Sequence, residues 1–170
     1  MTDAAAQARA AITCAITELR SSGAPTETLA EYRPAHRTLL IPRRASFVTR
    51  GPVWRLGVLL LSPDGALFAT GAVTRARDPK HPNYTSVSGE ERRELREAAG
   101  HAGFGIHDTV NFDAVPLPLD ETLGTSGPLV IRDDALTVSW NATRAADSLR
   151  PFADYLRERV DLAAHPPEGA

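Results

Sequence analysis

Val53-Trp-Arg-Leu-Gly-Val-Leu-Leu-Leu-Ser-Pro-Asp-Gly-Ala-Leu-Phe-Ala-Thr-Gly-Ala-Val-Thr-Arg-Ala76 is the stretch on which the fold turns. Its first part, Val53 to Leu61, is nearly continuous in apolar residues, the pattern of a central strand covered on both faces. Ser62-Pro63-Asp64-Gly65 then supplies a turn, because proline pre-sets φ at the first central position and glycine accepts a positive φ at the end. The return strand, Ala66 to Ala76, places Leu67, Ala69, Gly71 and Val73 on one face and Phe68, Thr70, Ala72 and Thr74 on the other. These small residues would let a helix approach closely. A tight hairpin, Val53 to Ala76, is the predicted scaffold.

Helices are expected on both sides of it. Ala5, Ala8, Ile12, Ala15 and Leu19 step by 3, 4, 3 and 4 behind a Thr2 or Asp3 cap, and Gly23 with Pro25 ends that helix. A second short helix is expected from Thr26 to Tyr32. Arg33-Pro34 breaks the chain, since the residue before proline is pushed away from the α region. Short strands follow at Thr38 to Ile41 and Ala45 to Thr49.

Beyond the hairpin, Arg77 to Val87 is a polar stretch. Ser88-Gly-Glu-Glu91 is a capping box opening a helix to about Ala102, whose shallow apolar face is Leu95, Ala98, Ala99 and Ala102. Gly103-Phe-Gly105 turns into a strand, Thr109 to Val115, alternating Val110, Phe112 and Ala114 with Asn111 and Asp113. A second hairpin joins Leu129 to Arg132 with Leu136 to Trp140 through Asp133-Asp134. Ser148 is expected to cap a final helix with the stripe Leu149, Phe152, Leu156 and Val160, and residues 165–170 form a disordered tail. The order predicts an α+β fold: a single domain over residues 1–164, with an antiparallel or mixed sheet containing two hairpins, packed by N-terminal and C-terminal helices.

A chain of 170 residues can bury roughly 70% of its unfolded surface without disulfide or metal staples. No apolar run approaches the ~20 residues of a membrane span, and residues 1–11 lack the basic and apolar regions of an export signal. With one cysteine, Cys14, no internal disulfide forms. A cytoplasmic protein without membrane association is expected, and the sequons at Asn83 and Asn141 then carry no weight. Cys14 sits in mid-helix with no histidine nearby in sequence, which marks a small buried hydrophobe rather than a reactive thiol.

The net charge of −2 conceals an uneven distribution. Residues 32–63 carry six arginines and no carboxylate. In this segment Arg33, His36, Arg37, Arg43, Arg44, Arg50 and Arg55 interleave with Tyr32, Phe47 and Trp54. Guanidinium groups bind phosphates and carboxylates bidentately, and aromatic faces stack on rings. The residues Arg33, His36, Arg37, Arg43 and Trp54 are therefore the candidate ligand-binding set, for an anionic small molecule or a protein partner. The competing account has these arginines guarding strand edges and pairing with the acidic helices around Glu90 to Glu97 and Asp154 to Asp161. Nucleic acid is disfavoured by the overall pI of about 6.2 and by the absence of any recognised nucleic-acid-binding motif.

Two further constellations stand beside it. His101, His107, Asp108, Asn111 and Asp113 fall within 13 residues, with His81 nearby if the polar loop folds over, but H-x5-H across a glycine turn matches no metal-ligand spacing. No metal site and no cofactor is expected. Asn111 and Asp113, alternating on one strand face, could orient a substrate or supply a general base together with His107, as in an amide hydrolase. There is no G-x-S-x-G elbow, S-x-x-K pair, P-loop or strand-linked G-x-G-x-x-G. A third reading is a structural or homo-oligomerisation role through the sheet or the terminal helices.

Around Glu31-Tyr-Arg-Pro-Ala-His-Arg37, Pro52-Val-Trp-Arg-Leu-Gly57, Thr70-Gly-Ala-Val-Thr-Arg75 and Val110-Asn-Phe-Asp-Ala-Val115, the chain resembles a group of short, uncharacterised actinobacterial proteins, some labelled "glutaminase". The resemblance covers most of the chain. Serine-dependent glutaminases are about twice as long and use an S-x-x-K pair that this sequence lacks. Amidotransferase-type glutaminases need a cysteine at the N-terminus or on an elbow, whereas Cys14 is placed inside a helix. The resemblance therefore implies kinship with the group and not that activity.

Overall fold

The computed structural model describes residues 2–38, 41–75, 87–105, 108–141 and 148–166. In chain order the first elements are α1 (Thr2–Ser21), β1 (Glu27–Arg33), β2 (His36–Thr38), β3 (Ile41–Arg43) and β4 (Ser46–Leu56). Next come β5 (Leu59–Leu61), β6 (Leu67–Ala69), β7 (Ala72–Arg75), α2 (Val87–His101), β8 (Thr109–Phe112) and β9 (Val115–Pro116). The chain ends with β10 (Leu129–Arg132), β11 (Ala135–Ser139), β12 (Leu149–Pro151) and α3 (Phe152–Ala164). The protein is α+β. None of its described helices is long and apolar enough to cross a membrane. The polar stretch over residues 76–86, with His81 and Asn83, lies outside the described residues, as do His107 and the end of the tail.

The chain divides into two compact units, the first made of residues 1–26, 53–70 and 115–170 and the second of 27–52 and 71–114. In the first unit the end of β4 pairs antiparallel with β5, β5 with β6 and β6 with β9. A separate antiparallel meander, β10–β11–β12, lies beside α3, and α1 packs on α3 and on β11. The stripe Ala5, Ala8, Ile12, Ala15 and Leu19 is buried as its spacing requires, in one core with Leu56, Leu59, Leu61, Phe152, Leu156 and Val160. Each fully buried leucine contributes roughly 1.5–3 kcal/mol by leaving water. Cys14 lies beside this stripe but is exposed, contrary to the expectation of a buried side chain.

The proline turn at residues 62–65 closes β5 onto β6, with the Gly65 amide donating to the Ser62 carbonyl (3.0 Å). The strand expected over Val53 to Leu61 is, however, two strands. Gly57 takes φ +65° and forms with Val58 a two-residue loop between the register partners Leu56 and Leu59. A glycine with positive φ at the first loop position is what a II′-type hairpin turn requires. The hydroxyl of buried Tyr155 plugs this loop, accepting from the Val58 amide (2.9 Å) and donating to the Leu56 carbonyl (3.2 Å). The Asp133-Asp134 hairpin is as expected: both residues have positive φ, 50° and 59°, the I′ geometry that aspartate tolerates. The final helix begins later than expected. Ser148 precedes β12 rather than capping α3, and Leu149, at helical spacing from Phe152, belongs to that strand instead.

In the second unit the order is β7–β8–β1–β4, with β7 antiparallel and β1 parallel to β8, so the sheet is mixed. The helix expected over residues 26–32 is the strand β1. Only Leu29 and Ala30 are buried there, too few for a helical stripe, and pairing with a strand some 80 residues away overrides local propensity. The expected return strand breaks at Thr70-Gly71 into β6 and β7, and the strand from Thr109 ends at Phe112. Tyr32, Phe47, Phe104 and Phe112 form an aromatic cluster over Ala98 and Ala99 of α2, with ring centroids 5.1–6.4 Å apart.

Candidate functional site

The second unit carries the basic segment on a hairpin that leaves its sheet. After β1, Pro34 and Ala35 redirect the chain into β2, which returns through β3, Arg44 and Ala45 into β4. The register pairs His36 with Arg43, Arg37 with Pro42 and Thr38 with Ile41. Directly opposed residues of an antiparallel pair share a face, with Cβ atoms roughly 5 Å apart. His36 and Arg43 are exposed on that shared face, and Arg44 is exposed at the hairpin base. The Arg37 side chain lies outside the described residues.

Two arginines of the segment are already neutralised. Arg33 Nε bonds Glu31 Oε1 (3.3 Å), and Arg50 Nη2 bonds Glu31 Oε2. The Arg50 hydrogen bond, then that of Arg33, holds the Glu31 carboxyl below its usual value of 4.5. A depressed carboxylate contributes stability at pH above its unfolded value and loses it as pH falls through the folded value. Arg50→Ala should therefore move the Glu31 midpoint upward toward 4.5, read by NMR titration of the side-chain carboxyl; an unmoved midpoint would contradict the pairing. Sequence reasoning missed Glu31 because it lies one residue before the carboxylate-free segment. The expected helix over Thr26 to Tyr32 also hid the pairing: on the strand β1, Glu31 and Arg33 lie two apart and point to one face. Neither Arg43 nor Arg44 has a carboxylate partner among the described residues.

Trp54 does not belong to this surface. It is 4% exposed in the core of the first unit, and its indole N–H donates to the Ala24 carbonyl (3.1 Å), so its ring has no face free to stack on a ligand. Its position after Pro52 and within an apolar run is what marks a core tryptophan.

Asn111 and Asp113 do not form a shared polar face. Asn111 is 1% exposed, and its Nδ2 donates to Glu27 Oε2 (2.6 Å) and to the Thr28 carbonyl (3.4 Å), bracing the parallel β1–β8 pair. Asp113 lies beyond the strand, exposed, with φ 54°. Burial raises the Tyr32 phenol, with the charges of Glu94 and Asp113 adding to it. His101 Nδ1 bonds the Glu97 carbonyl of its own helix (2.7 Å), and the Asp108 carboxylate accepts the Gly105 amide (2.6 Å). Among the described residues no three His, Cys, Asp or Glu side chains gather as metal ligands.

Comparison with known proteins finds no matching family, no matching curated protein and no matching solved structure.

Proposed function

We propose that the protein is an anion-binding module whose contact surface is the β2–β3 hairpin with Arg44. One observation carries this reading: Arg43 and Arg44 are exposed without carboxylate partners among the described residues, on either side of which Arg33 and Arg50 are tied to Glu31. Hydrogen bonds to charged groups contribute about 1.5–3 kcal/mol each, so two guanidinium groups making one such bond each supply about 3–6 kcal/mol, the scale of a millimolar ligand. The reading extends to a cytoplasmic setting, supported by a single free thiol, Cys14, which has no disulfide to form within the chain.

The probe is inorganic pyrophosphate, followed by calorimetry at low salt. The Arg43→Ala/Arg44→Ala double variant should lose at least about tenfold in affinity, the equivalent of about 1.4 kcal/mol. Arg157→Ala, which removes an exposed guanidinium bonded to Asp154 on α3, should bind as the native chain does. Equal affinity of the double variant and the native chain would overturn the reading.

A further inference from the structure

We infer that the hairpin selects a tetrahedral dianion, such as a phosphate or sulfate group, and that capture is coupled to protonation of His36. This rests on the reading of the hairpin as an anion site. The His36 ring is exposed, and its Nδ1 lies 3.2 Å from the Pro34 carbonyl oxygen. A carbonyl only accepts, so Nδ1 carries the hydrogen and the neutral ring presents a lone pair at Nε2. That lone pair repels an anion. The imidazolium instead presents an N–H donor and a positive charge at the same atom, on the face that His36 shares with Arg43.

The neighbouring charges set the direction of the coupling. Arg43 on β3 stands opposite His36 in the register, and neither strand contains a carboxylate. A dianion seated between the ring and the Arg43 guanidinium favours the imidazolium. Binding and protonation therefore strengthen one another. A monocarboxylate is satisfied by one bidentate guanidinium and gains little from the second cation. A tetrahedral dianion has oxygens for both groups.

Sulfate is the discriminating probe, because it remains a dianion throughout the titrated pH range and any pH dependence then belongs to the protein. In amide-shift titrations the native chain should bind sulfate roughly tenfold tighter at pH 5.5 than at pH 8 and prefer it to acetate at the lower pH. In His36→Gln the ratio between the two pH values should collapse to near one. Arg43→Ala should weaken sulfate at both. A pH ratio that survives in His36→Gln, or acetate binding as tightly as sulfate, would overturn the coupling and the dianion preference while leaving an anion site standing. Failure of sulfate, acetate and pyrophosphate alike to shift any hairpin amide would overturn the anion site itself.

Discussion

Replacing Gly57 with alanine should destabilise the first unit by about 3 kcal/mol, read as a lowered urea midpoint at unchanged slope. The added Cβ would lie 2.2 Å from the Tyr155 hydroxyl and 3.3 Å from both the ring carbon bearing it and Arg159 Nε. Gly57 also has φ +65°, where a residue with a Cβ is strained by roughly 1–2 kcal/mol. Expelling the hydroxyl would remove its bonds to the Val58 amide and the Leu56 carbonyl, and a buried group left unsatisfied costs about 1–3 kcal/mol. Tyr155→Phe removes those two bonds without the strain and should cost about 1–2 kcal/mol. The two changes should not add. With the hydroxyl gone the alanine has more room, so the double variant should be less destabilised than the sum by about 1 kcal/mol. Full additivity, or a Gly57→Ala cost below about 0.5 kcal/mol, would contradict the plugged-loop account.

Gly71→Ala should have an effect of similar size confined to the second unit. Its Cβ would meet only backbone: the Asp113 carbonyl oxygen at 2.2 Å, the Asp113 carbonyl carbon at 2.4 Å and the Phe112 oxygen at 2.4 Å. A flexible side chain can swing away from such a contact, but a strand end can yield only by opening its ladder. The β7–β8 pairing begins next to this point, at Ala72 opposite Phe112. The expected cost is about 3 kcal/mol, at the upper end of overpacking penalties, with faster hydrogen exchange at the β7 amides. Unchanged exchange there would mean that the close approach of Gly71 to the Asp113 carbonyl is not a constraint.

Both glycines mark places where the sequence was hard to read, for one physical reason. The turns at residues 62–65 and 133–134 and the apolar stripe of α1 are local signals, and the structure has an element at each. A helix also lies where the capping box at residues 88–91 predicts one, but it already includes Val87, so Ser88 is not its N-cap. Val53 to Leu61 reads as one strand because apolar residues continue on both sides of Gly57, yet the chain reverses at that glycine, over a loop that Tyr155, far along the sequence, plugs. β1 reads as a helix since its partners β8 and β4 are distant in sequence. β12 is concealed by Leu149, which extends the spacing of the α3 stripe backwards by one position.

The candidate site was legible in part. Composition identified the basic segment, and the break at Arg33-Pro34 foretold that the chain would leave β1. What composition lacks is partnership. Six arginines without a carboxylate look like one surface, yet Glu31 holds Arg33 and Arg50, Arg55 belongs to the first unit, and Trp54 is core. Asn111 looked like half of a catalytic pair because alternation assigns faces but does not say which face is buried; its amide is a bracket between β1 and β8.

The most direct measurement is a titration of the arginine Nε–H signals with inorganic pyrophosphate in the nitrogen-15-labelled native chain. Arg43 and Arg44 should shift together along one saturating curve while Arg33 and Arg50, held on Glu31, stay in place. Shifts spread evenly over the arginines, or none at all up to millimolar ligand, would contradict an anion site on the hairpin.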